Sequence, residues 1–177
     1  LFLDIEGYTK ICEEMSAKDV NRVIEKCFSV IMEAIHANDG DVNETAGDGL
    51  MVLFLNEDKE TNALQAVQAA ATIRESLTGA GNDVSALSKP VIVNIGVNSG
   101  PALVGAVKFE SYTGSRWTYT ARGMTTNVAA RLSALATGGK VLLSESTAER
   151  VKDRFQLTFL GKFPLKNISE DVKVFAL

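Results

Sequence analysis

Two aspartates are the side chains best placed to do chemistry. Asp4 ends the apolar run Leu1-Phe2-Leu3. Asp48 stands between Gly47 and Gly49 inside residues 42–54, V-N-E-T-A-G-D-G-L-M-V-L-F. Glycines on both sides of an aspartate permit turn angles that other residues resist, and they leave the carboxylate at a hairpin tip. If the first strand lies beside that hairpin, both carboxylates face one spot. Like charges at that range repel and need a positive partner, and a pair of divalent cations is the most natural one. Asp-Gly at a hairpin tip is also common for structural reasons alone, so on spacing the ligand and turn-former readings stand level.

Asn127 and Arg131 form a second constellation. They are four residues apart in a stretch with helical pattern, so they share a face. An amide can hydrogen-bond a sugar hydroxyl, and a guanidinium can neutralise charge on a phosphoryl group. Taken alone, such a pair is more often a solvated helix face.

The elements that must position these residues follow from periodicity. Residues 1–5 read as a buried strand, with Gly7 allowing a sharp exit. Residues 16–38 read as a helix: Val20, Val23, Ile24, Cys27, Phe28, Ile31 and Ile35 recur at helical spacing, Ser16 with Asp19 resembles a capping box, and Gly40 is a stop. The hairpin occupies 41–54. A second helix is expected over 57–77, with Leu64, Val67, Ala71 and Leu77 inward and alanines for close packing. Residues 78–90 read as a loop. Strands are expected at 91–97 and 102–107, an exposed flap at 109–116 and a short strand at 117–120. A helix over 123–136 is capped by Thr125 or Thr126. A strand at 140–143, a short helix to 152 and closing strands at 155–160 and 173–177 complete the chain. The opening order is the split β-α-β-β-α-β plan, so the predicted fold class is α+β with a ferredoxin-like core and a C-terminal α/β extension. One domain spans 1–177.

Composition narrows the function classes. Of 177 residues, 46% are apolar and 23% charged, and the net charge is −4. That balance gives no electrostatic attraction to nucleic acid or to an acidic membrane. His36 is the sole histidine, so a Ser-His-Asp or Cys-His catalytic arrangement is poorly supported. Cys12 and Cys27 read as reduced residues in or near the core, which suits a cytoplasmic domain. No apolar run approaches the ~20 residues of a membrane span. The chain begins inside a strand-like run, from which we expect a domain excised from a longer protein, with a regulatory or sensor domain fused to it.

Together these residues resemble the class III nucleotidyl cyclases, the adenylate and guanylate cyclase catalytic domain. The resemblance is carried by Leu3-Asp4-Ile5-Glu6-Gly7-Tyr8-Thr9, Glu44-Thr45-Ala46-Gly47-Asp48-Gly49 and Ile95-Gly96-Val97-Asn98-Ser99-Gly100. Tyr119-Thr120-Ala121-Arg122-Gly123, Thr126-Asn127-Val128-Ala129-Ala130-Arg131-Leu132 and Leu165-Lys166 follow in family order. It implies that Asp4, Asp48 and the Ile5 carbonyl bind two Mg²⁺ or Mn²⁺ ions. It further implies that the ribose 3′-oxygen attacks the α-phosphorus in line, giving a 3′,5′-cyclic nucleotide and pyrophosphate. Asn127 then orients the ribose, Arg131 stabilises transition-state charge, and Lys166 and Lys140 meet the triphosphate. The resemblance implies a homodimer with shared sites, metal aspartates from one chain and Asn127, Arg131 and the base-reading residues from the other.

Base selection falls on Glu44 and Thr120. Glutamate suits the N1 and N2 donors of guanine, while threonine serves either purine. ATP is placed ahead of GTP because adenylate cyclases are the commoner members of this simple form. Two positions depart from the family pattern: Met124 where an aspartate is usual, and Asn98 where a histidine is frequent. The alternative reading is a weak or inactive cyclase-like module that senses nucleotide or dimerises.

Overall fold

The structure is a computed structural model and describes residues 1–78, 91–112 and 114–177. The loop expected at 78–90 lies outside the described residues, apart from Thr78.

Strand β1 (Phe2–Ile5) leads through Gly7, at φ 71°, into a seven-residue helix α1 (Tyr8–Glu14). The sequence reading has no helix there. A segment of two turns is too short to display helical periodicity, and α1 contributes no buried residue. Cys12, expected in or near the core, is exposed on it, whereas Cys27 is buried. Burial pushes the Cys27 thiol up to about 11.

Helix α2 (Ala17–His36) starts where its cap predicts: the Ser16 hydroxyl accepts from the Asp19 N–H at 3.2 Å. Its inward stripe includes Val23, Cys27, Ile31 and Ile35. Strands β2 (Asp41–Ala46) and β3 (Gly49–Leu53) form the hairpin, joined through Gly47 at φ 64°. Helix α3 (Lys59–Thr78) is capped by Asp58, whose carboxylate accepts from the Thr61 N–H at 2.7 Å. Strand β4 (Val93–Val97) completes the first half.

Strands β5 (Leu103–Ser111) and β6 (Gly114–Arg122) form a two-stranded ribbon separate from the main sheet. It replaces the expected flap and short strand. Helix α4 (Met124–Leu135), strand β7 (Val141–Ser144), helix α5 (Glu145–Val151) and strands β8 (Thr158–Phe163) and β9 (Val172–Ala176) follow.

The main sheet has the order β2-β3-β1-β4-β7-β9-β8. Each neighbouring pair among its first four strands is antiparallel, which is the ferredoxin-like plan read from the sequence. The extension attaches by β7 running parallel to β4, with β9 and β8 antiparallel beyond it. Alternate residues face opposite sides of the sheet. Leu1, Leu3, Ile5, Ile95 and Val97 join the α2–α3 core. Phe2, Asp4, Asn94 and Gly96 share the other face, in register across β1 and β4. There α4 sits directly on β4: a Cβ on Gly96 would lie 2.3 Å from both the Ala129 carbonyl oxygen and the Ser133 nitrogen. Among the described residues no helix is long and apolar enough to cross a membrane.

Candidate active site

The strand end and the hairpin tip do meet. The Asp4 carboxyl is held above its ordinary value by partial burial first, then by the charge of Asp48 and a hydrogen bond with it. Its backbone contact with Ile5 acts in the opposite direction. The β1–β3 register accounts for this approach: Leu3 pairs with Leu50, which brings Asp4 level with the end of the hairpin. No lysine or arginine among the described residues forms an ion pair with either aspartate. No third His, Cys, Asp or Glu among the described residues joins them to make a cluster. Two carboxylates, with the Ile5 carbonyl beside them, are a hard-oxygen donor set that leaves coordination positions for water and phosphate. This fits Mg²⁺ or Mn²⁺ better than a site that encloses its metal fully.

From Asp4 a cavity of about 370 Å³ runs across the open part of the sheet. Phe2, Met51 and Glu44 of the strands line it, with Ala130 and Ser133 of α4. Glu44 also borders a wider cavity of about 920 Å³ with Thr120, Arg122, Thr126 and Asn127. The Thr120 hydroxyl donates to Glu44 Oε2 at 3.5 Å. The structure therefore brings Glu44, Thr120 and Asn127 together, and separately Asp4 with Asp48. Arg131, one turn beyond Asn127, is half-buried. Neither its guanidinium nor the Asn127 side-chain amide bonds another described residue. Lys140, just before β7, and Lys166, between β8 and β9, are exposed and border neither cavity. Within one chain the nine candidate residues do not converge on a single point.

Sequence reasoning missed what aims Glu44. The β2–β3 register shifts between Val42 and Glu44, so Asn43 is an extra residue in a bulge. Its Nδ2 donates to the Tyr119 carbonyl at 3.0 Å and fastens the ribbon to β2, while its buried Oδ1 has no donor among the described residues. A polar residue inside a strand was the only signal in the sequence.

The first turn of α4 also differs from expectation. Gly123 is its N-cap, and neither threonine caps it: Thr125 donates to the Pro101 carbonyl at 2.6 Å and Thr126 to the Gly123 carbonyl at 2.8 Å. Asn98 Nδ2 donates to the Thr125 carbonyl at 2.9 Å. Its Oδ1 accepts from Ser144 at 2.5 Å and Ser146 at 3.0 Å. The departure at Asn98 is thus a tie between β4, α4 and α5. Met124 is largely exposed.

This combination defines a palm-like α+β domain with a carboxylate pair at its strand end. The family model for the adenylate and guanylate cyclase catalytic domain matches residues 1–177, and the chain belongs to that family. Adenylate cyclase 1 of Rhizobium meliloti is 28% identical over 99% of this chain. The crystal structure of the adenylyl cyclase CyaB from P. aeruginosa superposes with a TM-score of 0.89 at 26% identity, covering 99% of this chain and 90% of that one. The guanylyl cyclase Cya2 gives 0.84 at 25% identity, covering 99% and 88%. The chain spans 8%, 26% and 33% of the lengths of three adenylate cyclases it matches.

Proposed function

We propose that this chain is the catalytic domain of a purine nucleotide cyclase, turning ATP into 3′,5′-cyclic AMP and pyrophosphate at sites shared by two copies. The observation that carries this reading is the Asp4–Asp48 pair, two carboxylates whose charges repel and that form no ion pair with a lysine or arginine among the described residues. Asp4, Asp48 and the Ile5 carbonyl would hold two divalent cations, which would lower the pKa of the ribose 3′-hydroxyl and neutralise charge on the triphosphate. The 3′-oxygen bonds to the α-phosphorus, the bond to the β-phosphate oxygen breaks, and the hydroxyl proton passes to water. Asn127 fixes the ribose, and Arg131 faces the charge that builds on the phosphoryl oxygens. Lys166 and Lys140 bind the outer phosphates. The separation of these groups within one chain favours assembly of the site from two, as a two-fold homodimer provides.

Incubation with Mn²⁺ and either ATP or GTP, with products identified by mass, tests the reading. Cyclic AMP is expected; no cyclic nucleotide at high protein concentration overturns it. GTP is the second reading, and Glu44 is the observation behind it. A carboxylate accepts from guanine N1 and N2 but opposes the adenine N1 lone pair. Glu44→Lys is expected to raise the ATP-to-GTP activity ratio. An unchanged ratio means Glu44 does not touch the base.

A further inference from the structure

We propose that Glu6 is a positioning residue for the metal-binding strand end, clasping it to the turn that follows α4. The inference rests on the reading of Asp4, Asp48 and the Ile5 carbonyl as metal ligands. Glu6 directly follows Ile5, and its side chain is largely in water. A glutamate so placed is ordinarily a solvated rotor. Here one carboxylate oxygen, Oε2, accepts twice: from Gly138 N–H at 2.6 Å and from Asn94 Nδ2 at 2.9 Å. The Glu6 N–H donates to the Ile92 carbonyl at 2.9 Å. The residue is therefore pinned at both its backbone and its side chain.

The partner is pinned as well. Asn94 is 6% exposed and pairs with Asp4 in the β1–β4 register. Its Oδ1 accepts from the Gly139 N–H at 3.0 Å, and its carbonyl accepts from the Ser133 hydroxyl at 3.3 Å. Gly138 and Gly139 have φ of 66° and 76°, so successive N–H groups can point at Glu6 and Asn94. Four side-chain bonds thus join the end of β1, β4, α4 and the turn beyond it.

The effect falls on the peptide between Ile5 and Glu6. β1 ends at Ile5, and a carbonyl serving a cation must hold its direction beyond the strand. The Glu6 clasp fixes the far side of that peptide. Removing its carboxylate leaves that peptide held by the Glu6–Ile92 backbone bond alone, and the Gly138 N–H and Asn94 Nδ2 without their acceptor.

The test is Mn²⁺ alone, titrated into wild type, Glu6→Ala, Glu6→Gln and Asp48→Ala, with bound metal counted by loss of the free-ion EPR signal. Glu6→Ala is expected to weaken Mn²⁺ binding by roughly 10–100-fold, the range for partners that orient metal ligands. Glu6→Gln keeps an acceptor for the same two donors, so it should lose less. It also serves if the alanine variant unfolds, and melting curves show whether it does. In turnover, both variants should need more Mn²⁺ for half-maximal rate while kcat at saturating Mn²⁺ changes little. Wild-type Mn²⁺ affinity in folded Glu6→Ala and Glu6→Gln, with binding lost in Asp48→Ala, overturns this inference alone. Wild-type affinity in Asp48→Ala overturns the metal reading and this inference with it.

Discussion

Asp4 and Asp48 work against the fold when no cation lies between them. In the folded chain Asp4 binds its proton more tightly than at its ordinary 3.8. The folded state is therefore favoured while Asp4 is protonated, and it loses that advantage as pH rises from 3.8 through the raised value. Asp48→Asn removes the neighbouring charge, though not the burial that is the larger cause. In EDTA above this window the variant should melt at or above the wild-type temperature, with the difference vanishing at acid pH. Mn²⁺ should raise the melting point of wild type and not of the variant. A variant that melts lower in EDTA contradicts the carboxylate contact. Arg131→Ala should lower kcat by roughly 10²–10³, as loss of a transition-state charge partner does. It should barely move the melting point, since Arg131 has no partner among the described residues. The aspartates could be read in the sequence because each sits at the end of a simple strand or turn pattern. The Glu44–Thr120 contact could not be read from local pattern. It spans 76 residues and depends on the bulge at Asn43, which periodicity does not show.

Among the elements, α4 is held closely against the sheet. It carries Asn127 and Arg131 and lies on Gly96 with no room for a methyl group. Gly96→Ala must push backbone aside, and overpacking of this kind costs about 1–3 kcal/mol. For a domain of this size that is a fall of roughly 2–12 °C in Tm. Turnover should fall with it because the helix moves. Gly105→Ala in β5 is the control, since its Cβ would meet nothing within 4 Å. Equal melting points for the two variants would contradict the packing argument. Elements with a buried stripe and a cap, such as α2 behind Ser16, were legible. The ribbon was only half legible. It stands apart from the main sheet, and several of its side chains, Trp117 and Tyr119 among them, are largely exposed. Its strand pattern therefore faded outside the two stretches that were read.

For the whole molecule, one arrangement decides the rest. The carboxylate pair and the Glu44–Thr120–Asn127 cavity are separate on one chain, and Glu44 borders the cavities leading to both. The ferredoxin-like order was visible because local periodicities follow one another simply. The separation was expected from the family resemblance and from no local pattern, since it depends on how the sheet and α4 share a face. Mixing an Asp48→Ala chain with an Arg131→Ala chain tests this most directly. Each variant alone should retain about 1% of wild-type turnover or less. Random pairing makes half the dimers mixed, and each has one intact site of two, so an equimolar mixture should recover about a quarter of wild-type turnover. A mixture as silent as its parts would contradict a site shared between two copies.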